Sequence, residues 1–171
     1  MLVLKHKSSG FTIIELMLAV TVLAILVSTA YPSFRGMLMN SQVRNAAESV
    51  VNGMQKARAE AVSRNTNVEF VLAAATSTSW TVKLAGGANI ETRASAEGST
   101  NVTSATTPAN ATTVTFNNLG GVVANSPASA SLTQVDFTAV GANRSLQVKL
   151  LAGGSPRMCD PAFVAGDSRA C

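Results

Sequence analysis

Histidine is all but missing from this 171-residue chain: His6 is the only one, and it lies ahead of a long apolar run. If that first stretch is a leader, the working chain has none. That excludes Ser-His-Asp and Cys-His mechanisms and removes the commonest metal ligand. Aromatic residues are few as well: six Phe, one Tyr and one Trp. Charge is thin, with Asp, Glu, Lys and Arg making 13% of the chain. Setting aside Lys5 and Lys7 with the leader leaves eleven of the thirteen Lys and Arg against nine Asp and Glu. A pI near 9.5 is then weak ground for a nucleic-acid partner. No Gly-rich loop opens a helix to cradle phosphate, and Asp136, Asp160 and Asp167 have no histidine to work with. Neither an enzyme nor a cofactor is expected.

Cysteine is limited to Cys159 and Cys171, with eleven residues between them. In a cytosolic protein such a pair could be a metal site or two free thiols. In an exported one it reads as a disulfide, worth about 3 kcal/mol in the chain-entropy model and able to pin the tail.

What is abundant is apolar residues, 47% of the chain, concentrated near the N-terminus. Phe11 to Tyr31 reads FTIIELMLAVTVLAILVSTAY, with one charge, Glu15. As a helix this run spans about 30 Å, the hydrocarbon thickness of a bilayer. Lys5, His6 and Lys7 precede it, so the positive-inside rule puts the N-terminus in the cytoplasm and the remainder across the membrane. The run is too long for an ordinary secretory signal. Its small residues, Ser8, Ser9 and Gly10, come before it, so cleavage there would leave the membrane helix on the mature protein. A carboxylate within such a helix costs about 3 kcal/mol on insertion scales. Two readings of Glu15 stay open: it snorkels to the headgroups, or it pairs with the α-amino group that cleavage would create at Phe11 of a neighbouring subunit.

Residues 33–64 carry an apolar stripe, Val43, Ala47, Val50, Met54, Ala57 and Ala61, at alternating spacings of four and three. Arg44/Glu48, Lys56/Glu60 and Glu60/Arg64 stand four apart on the polar side. Such a stripe covers a sheet of its own chain or forms a partner-binding face. Beyond Arg64 the period changes to two. Val68-Phe70-Leu72, Trp80-Val82-Leu84, Val114-Phe116, Val135-Phe137 and Leu146-Val148-Leu150 alternate as half-buried strands do. Gly86-Gly87, Gly120-Gly121 and Gly153-Gly154 mark turns, and small polar residues make loops of 94–112 and 124–133.

The segment SSGFTIIELMLAVTVLAILVSTAYPSF resembles the class III signal of type IV pilins and of type II secretion pseudopilins. The resemblance implies that a prepilin peptidase cleaves after Gly10 and methylates Phe11, and that Glu15 guides assembly into a filament. Pro32 falls where the family commonly has a proline, and it is expected to interrupt or kink the helix. RNAAESVVNGMQKARAEAVSRNTNVEF (44–70) looks like the helix-to-strand passage of the GspH/FimT family, and RMCDPAFVAGDSRAC resembles the cysteine-bounded end of its FimT/FimU minor pilins. The fold so implied is α+β: a long N-terminal helix, half membrane and half amphipathic, packed on a C-terminal antiparallel β domain. The divisions expected are a leader at 1–10, a membrane and assembly helix at 11–32, an amphipathic helix at 33–64 and an exported β domain at 65–171.

The implied partners are other minor and major pilins, prepilin peptidase, the inner-membrane assembly platform and the inner membrane itself. The implied role is a minor pilin that primes assembly at or near the tip of a type IV pilus. The alternatives are a type II secretion pseudopilin and a DNA-binding minor pilin for natural transformation. Some FimT-like pilins bind DNA through Gly-Arg-x-Arg before the first tail cysteine. Here that tetrad is Gly154-Ser155-Pro156-Arg157, with Ser155 in place of the first Arg. Arg144, Lys149, Arg157 and Arg169 are the candidate DNA contacts, offset by Asp136, Asp160 and Asp167; the other reading is ordinary surface charge around a disulfide loop.

Overall fold

A computed structural model describes residues 10–171. One helix, α1, runs from Ile13 to Arg64, and nine strands follow: β1 Val68–Leu72, β2 Trp80–Leu84, β3 Asn89–Arg93, β4 Val102–Thr107, β5 Thr113–Phe116, β6 Val122–Val123, β7 Gln134–Ala139, β8 Leu146–Leu150 and β9 Pro156–Cys159. The chain divides into two units, one ending at Arg35 and the other covering Gly36–Cys171.

In the first unit the apolar side chains from Phe11 to Tyr31 have no cover within the chain: Phe11, Ile13, Leu18, Ile25 and Tyr31 are all more than half exposed. Thr21, Ser28 and Thr29 turn their hydroxyls back onto the carbonyls of Leu18, Ile25 and Leu26. Each therefore presents little unmet polarity to an apolar medium. The helix does not break at Pro32, against the interruption that its missing N–H leads one to expect. Proline removes only one hydrogen bond of the ladder, and the remaining bonds of the helix continue past it.

In the second unit the predicted stripe is the buried face. Val43, Ala47, Val50, Met54, Ala57 and Ala61 are buried, joined by Ala46, Ser49 and Gly53. All three predicted ion pairs form on the other side, Arg44–Glu48 at 2.7 Å, Lys56–Glu60 at 3.1 Å and Arg64–Glu60 at 2.6 Å. The hydrogen bonds and charges of Arg64 and Lys56 hold the Glu60 carboxyl below its ordinary range. The helix ends on Asn65, whose φ of 51° is left-handed. Thr66 N–H reaches back to Ala61 O and Asn65 N–H to Val62 O, the pair of bonds of a Schellman cap.

The strands form two antiparallel sheets, β3-β2-β1-β5-β6 and β4-β7-β8-β9. All five predicted strands are present. The loop expected at 94–112 is corrected: it contains β4, whose VTSATT sequence buries Val102 and Ser104, with Thr106 half-buried, while Thr103, Ala105 and Thr107 are exposed. The sequence alternates apolar with polar too weakly to show it. What recruits this segment is ladder pairing along β7, from Val102↔Ala139 to Thr107↔Gln134. The core joins α1 to both sheets through Phe70, Trp80, Phe116, Phe137 and Leu132. The helix approaches the first sheet closely where Gly53 faces Phe70 and Trp80. There Trp80 Nε1 donates to Ser49 Oγ at 2.8 Å, satisfying the one polar atom of a buried ring.

Candidate assembly segment and stapled tail

Two groups of residues are candidates for function. The first surrounds the start of α1. Gly10 and Phe11 precede the helix and are exposed. Thr12 is its N-cap: Thr12 Oγ1 accepts the Glu15 N–H at 3.3 Å, and Thr12 O accepts the Leu16 N–H at 3.1 Å. Glu15 therefore stands at the third helical position, in the Thr-x-x-Glu spacing of a capping box, where the helix dipole favours a carboxylate. The cap was legible in the sequence and is the residue that the pattern of Gly10, Phe11 and Glu15 leaves out. Lys5, His6, Lys7, Ser8 and Ser9 lie outside the described residues.

The second group is the tail. Cys159 and Cys171 are joined, with Cα atoms 5.0 Å apart. Asp160 N–H donates to Arg169 O, which lays the end of the tail beside the start. All four cations singled out in the sequence come together here, and each is engaged by the tail. Arg144 Nη2 lies 2.7 Å from Asp160 Oδ2. Arg169 pairs with Asp167 at 2.8 Å, and its guanidinium carbon stands 3.8 Å from the centre of the Phe163 ring. Arg157 Nη2 donates to the carbonyls of Ser168 at 2.8 Å and Ala170 at 3.2 Å. Lys149 Nζ reaches Cys171 O at 3.4 Å.

The carboxylates respond in a consistent direction. Burial pushes the Asp160 carboxyl up, but the Arg144 hydrogen bond, the Ala162 amide and the charges of Arg144 and Arg169 together bring it below its ordinary value. Hydrogen bonds from the Arg169 side chain and backbone hold Asp167 down at about 2, and the same contact raises Arg169. Asp136 does not join this group; it accepts two hydrogen bonds from Gln134. The tetrad before Cys159 serves packing in part. Gly154 has a φ of +77°, and a β-carbon there would lie 2.8 Å from Gly120 O; Pro156 is buried. No cluster of His, Cys, Asp and Glu suited to a metal occurs among the described residues.

Comparison with known proteins agrees with this architecture. The family described as Type II transport protein GspH matches residues 46–154, and the prokaryotic N-terminal methylation motif matches residues 5–31. Two crystal structures of the type IV minor pilin FimU of Pseudomonas aeruginosa PAO1 share the fold, each with a TM-score of 0.52 at 19% identity over 72% of this chain. The match covers 97% of one FimU chain and 92% of the other. Among curated proteins none matches significantly. A long helix on two antiparallel sheets, the methylation motif and the GspH match over most of the second unit lead to one assignment: the chain belongs to the GspH family of pilin-like proteins.

Proposed function

We propose that this chain is a minor pilin of a type IV pilus, inserted in the inner membrane and then drawn into the filament, where it primes assembly at or near the tip. The observation that carries the reading is the apolar run of α1, uncovered by its own chain and bearing one carboxylate at its capped start. Such a helix requires lipid or other helices around it. Residues 1–10 are a leader, cleaved at Gly10–Phe11 by prepilin peptidase, with Phe11 then methylated. The new amine lies four residues before Glu15, and in an array the amine of one subunit neutralises the Glu15 of another. The N-terminus is cytoplasmic and residues 65–171 are periplasmic before extraction. The other partners are major and minor pilins and the assembly platform.

Substitution of Gly10 should block processing, whereas Glu15→Ala should leave the chain inserted and processed but poorly incorporated into filaments. Normal incorporation of the Glu15 variant would count against the pairing. A second reading, a pseudopilin of type II secretion, draws on the description of the matched family. Deleting the gene and scoring piliation, secretion and transformation separates the two. The DNA-binding reading of Arg144, Lys149, Arg157 and Arg169 is the least supported, because each already has a partner in the tail.

A further inference from the structure

A cavity of about 560 Å³ opens between α1 and the stapled tail. Its bottom is apolar: Val43 and Leu146 are buried, and Met158 is half-buried against the core. Its mouth is cationic, lined by Arg44, Arg144 and Arg169, whose side chains are all more than half exposed. Asp160, the one acid in the lining among the described residues, is already engaged. Its Oδ1 accepts the Ala162 N–H at 2.9 Å, and its Oδ2 accepts two N–H groups of Arg144.

The arginines keep donors in reserve. Arg44 gives its Nε to Glu48, while Arg169 gives Nε and Nη2 to Asp167. A guanidinium has five N–H donors, so the Nη1 amino group of each of the three has no partner among the described residues. Exposed ion pairs such as those of Arg44 and Arg169 also hold their arginines only loosely. Phe163 gathers two of the cations: its ring centre lies 3.8 Å from the Arg169 guanidinium carbon and 6.0 Å from that of Arg144. Spare donors at the mouth and apolar surface beneath suit a ligand with an anionic head and an apolar tail.

The chain itself keeps such a ligand within reach. Met37 lines the cavity and follows Tyr31, the end of the apolar run, by six positions. Six residues of chain span at most about 22 Å. Where the run ends, the Arg35 guanidinium carbon stands 5.9 Å from the Tyr31 ring centre. Tyrosine and arginine are side chains that sit at a membrane–water boundary, the depth at which lipid phosphates lie. We propose that the cavity binds an anionic phospholipid, its phosphate on Arg44, Arg144 and Arg169 and part of one acyl chain over Val43, Leu146 and Met158. The proposal rests on the reading that α1 lies in the membrane. No ion pair of the tail has to break, because the spare amino groups make the contact. The cystine takes part by keeping Ser168 and Arg169 at the cavity wall.

Native mass spectrometry tests it. The full-length chain in a mild nonionic detergent is titrated with dioleoylphosphatidylglycerol, and bound lipid is counted. Dioleoylphosphatidylcholine supplies the same tails without net charge, and glycerol phosphate supplies a head without tails. Phosphatidylglycerol should bind about tenfold more tightly than either, and Arg44→Gln with Arg169→Gln should weaken it about tenfold. Ser41→Phe, at an exposed lining position, should obstruct the cavity and weaken binding as much with no change of charge. Lys56→Gln with Arg93→Gln removes equal charge away from the cavity and should change binding by less than about twofold. Intact mass showing the disulfide and unshifted Trp80 emission check folding; if the arginine variant fails that check, Ser41→Phe decides. Equal binding of the two lipids, equal binding of glycerol phosphate, or an equal loss in the Lys56 and Arg93 variant would overturn the site. Carbonate extraction of cell membranes separates this from the reading beneath it. A chain released by carbonate overturns the membrane reading and this proposal with it. A chain that stays embedded but shows no preference for phosphatidylglycerol overturns this proposal alone.

Discussion

Gly53 faces Phe70 so closely that a β-carbon on it would lie 2.7 Å from Phe70 Cε2, and 3.0 Å from Trp80 Cε2. In an exposed helix, Gly→Ala would stabilise by about 1 kcal/mol through propensity. Here the helix is against a sheet, and neither ring can withdraw from a packed core without cost. Gly53→Ala should therefore destabilise by about 1–3 kcal/mol, the usual cost of overpacking. Thermal unfolding of the full chain in detergent checks the sign, which is the opposite of the propensity expectation.

Ser49 and Trp80 offer a second test at the same contact. Ser49→Ala removes the acceptor for a buried indole N–H and should cost about 1–3 kcal/mol. Trp80 is the only tryptophan, so its emission reports this site alone. Denaturant unfolding followed by that emission should show a lower midpoint with an unchanged slope.

Acid should loosen the tail before it unfolds the sheets. Asp160 and Asp167 are held below their ordinary values in the folded chain, Asp167 at about 2. A depressed carboxylate contributes stability that is complete above its unfolded pKa, about 3.9. That contribution is lost as pH falls from there through the folded value. Amide exchange of residues 160–171 should accelerate over that window, and Asp160→Asn should flatten the response. An exchange profile unchanged by the substitution would argue against this origin.

Arg157 should behave as a brace. Its guanidinium holds the Ser168 and Ala170 carbonyls, so Arg157→Ala should speed exchange and proteolysis in the tail. Reducing the disulfide should do so more strongly, at a cost of about 3 kcal/mol in the chain-entropy model. If Arg157 served DNA instead, the same variant would leave the tail protected and weaken a salt-sensitive gel shift. Absence of any shift with the unmutated chain would remove the DNA reading.

Periodicity carried most of the fold. The stripe from Val43 to Ala61 and five of the strands stand where spacing put them, because burial on one face forces a period and a period is visible in one dimension. β4 was not visible. Its residues are held by pairing with β7 rather than by an apolar face, and pairing partners 27 to 37 residues away leave no local mark. Gly53 was likewise silent, since a glycine needed for closeness looks the same as one tolerated by chance. At the candidate sites the reverse holds for Thr12, whose spacing to Glu15 was in plain view. In the sequence Arg144, Lys149, Arg157 and Arg169 read either as DNA contacts or as ordinary surface charge around a disulfide loop. Their attachment to tail carbonyls and carboxylates depends on how the segment from Asp160 to Cys171 turns back, which composition does not encode.

That return has a consequence for the second sheet as a surface. Its two outer strands are β4 and β9, and an outer strand ordinarily offers a row of open backbone groups to any passing chain. Ser104 of β4 is taken by the carbonyls of Ala75, Thr76 and Ser77. Beyond β9 the bridge between Asp160 and Ala170 and the Arg157 guanidinium bring the tail alongside. Both margins of the sheet are thereby shielded from adventitious strand pairing. The cystine that secures the tail thus acts as protection against misassociation as well as a source of stability, and reduced chains should aggregate sooner than oxidised ones.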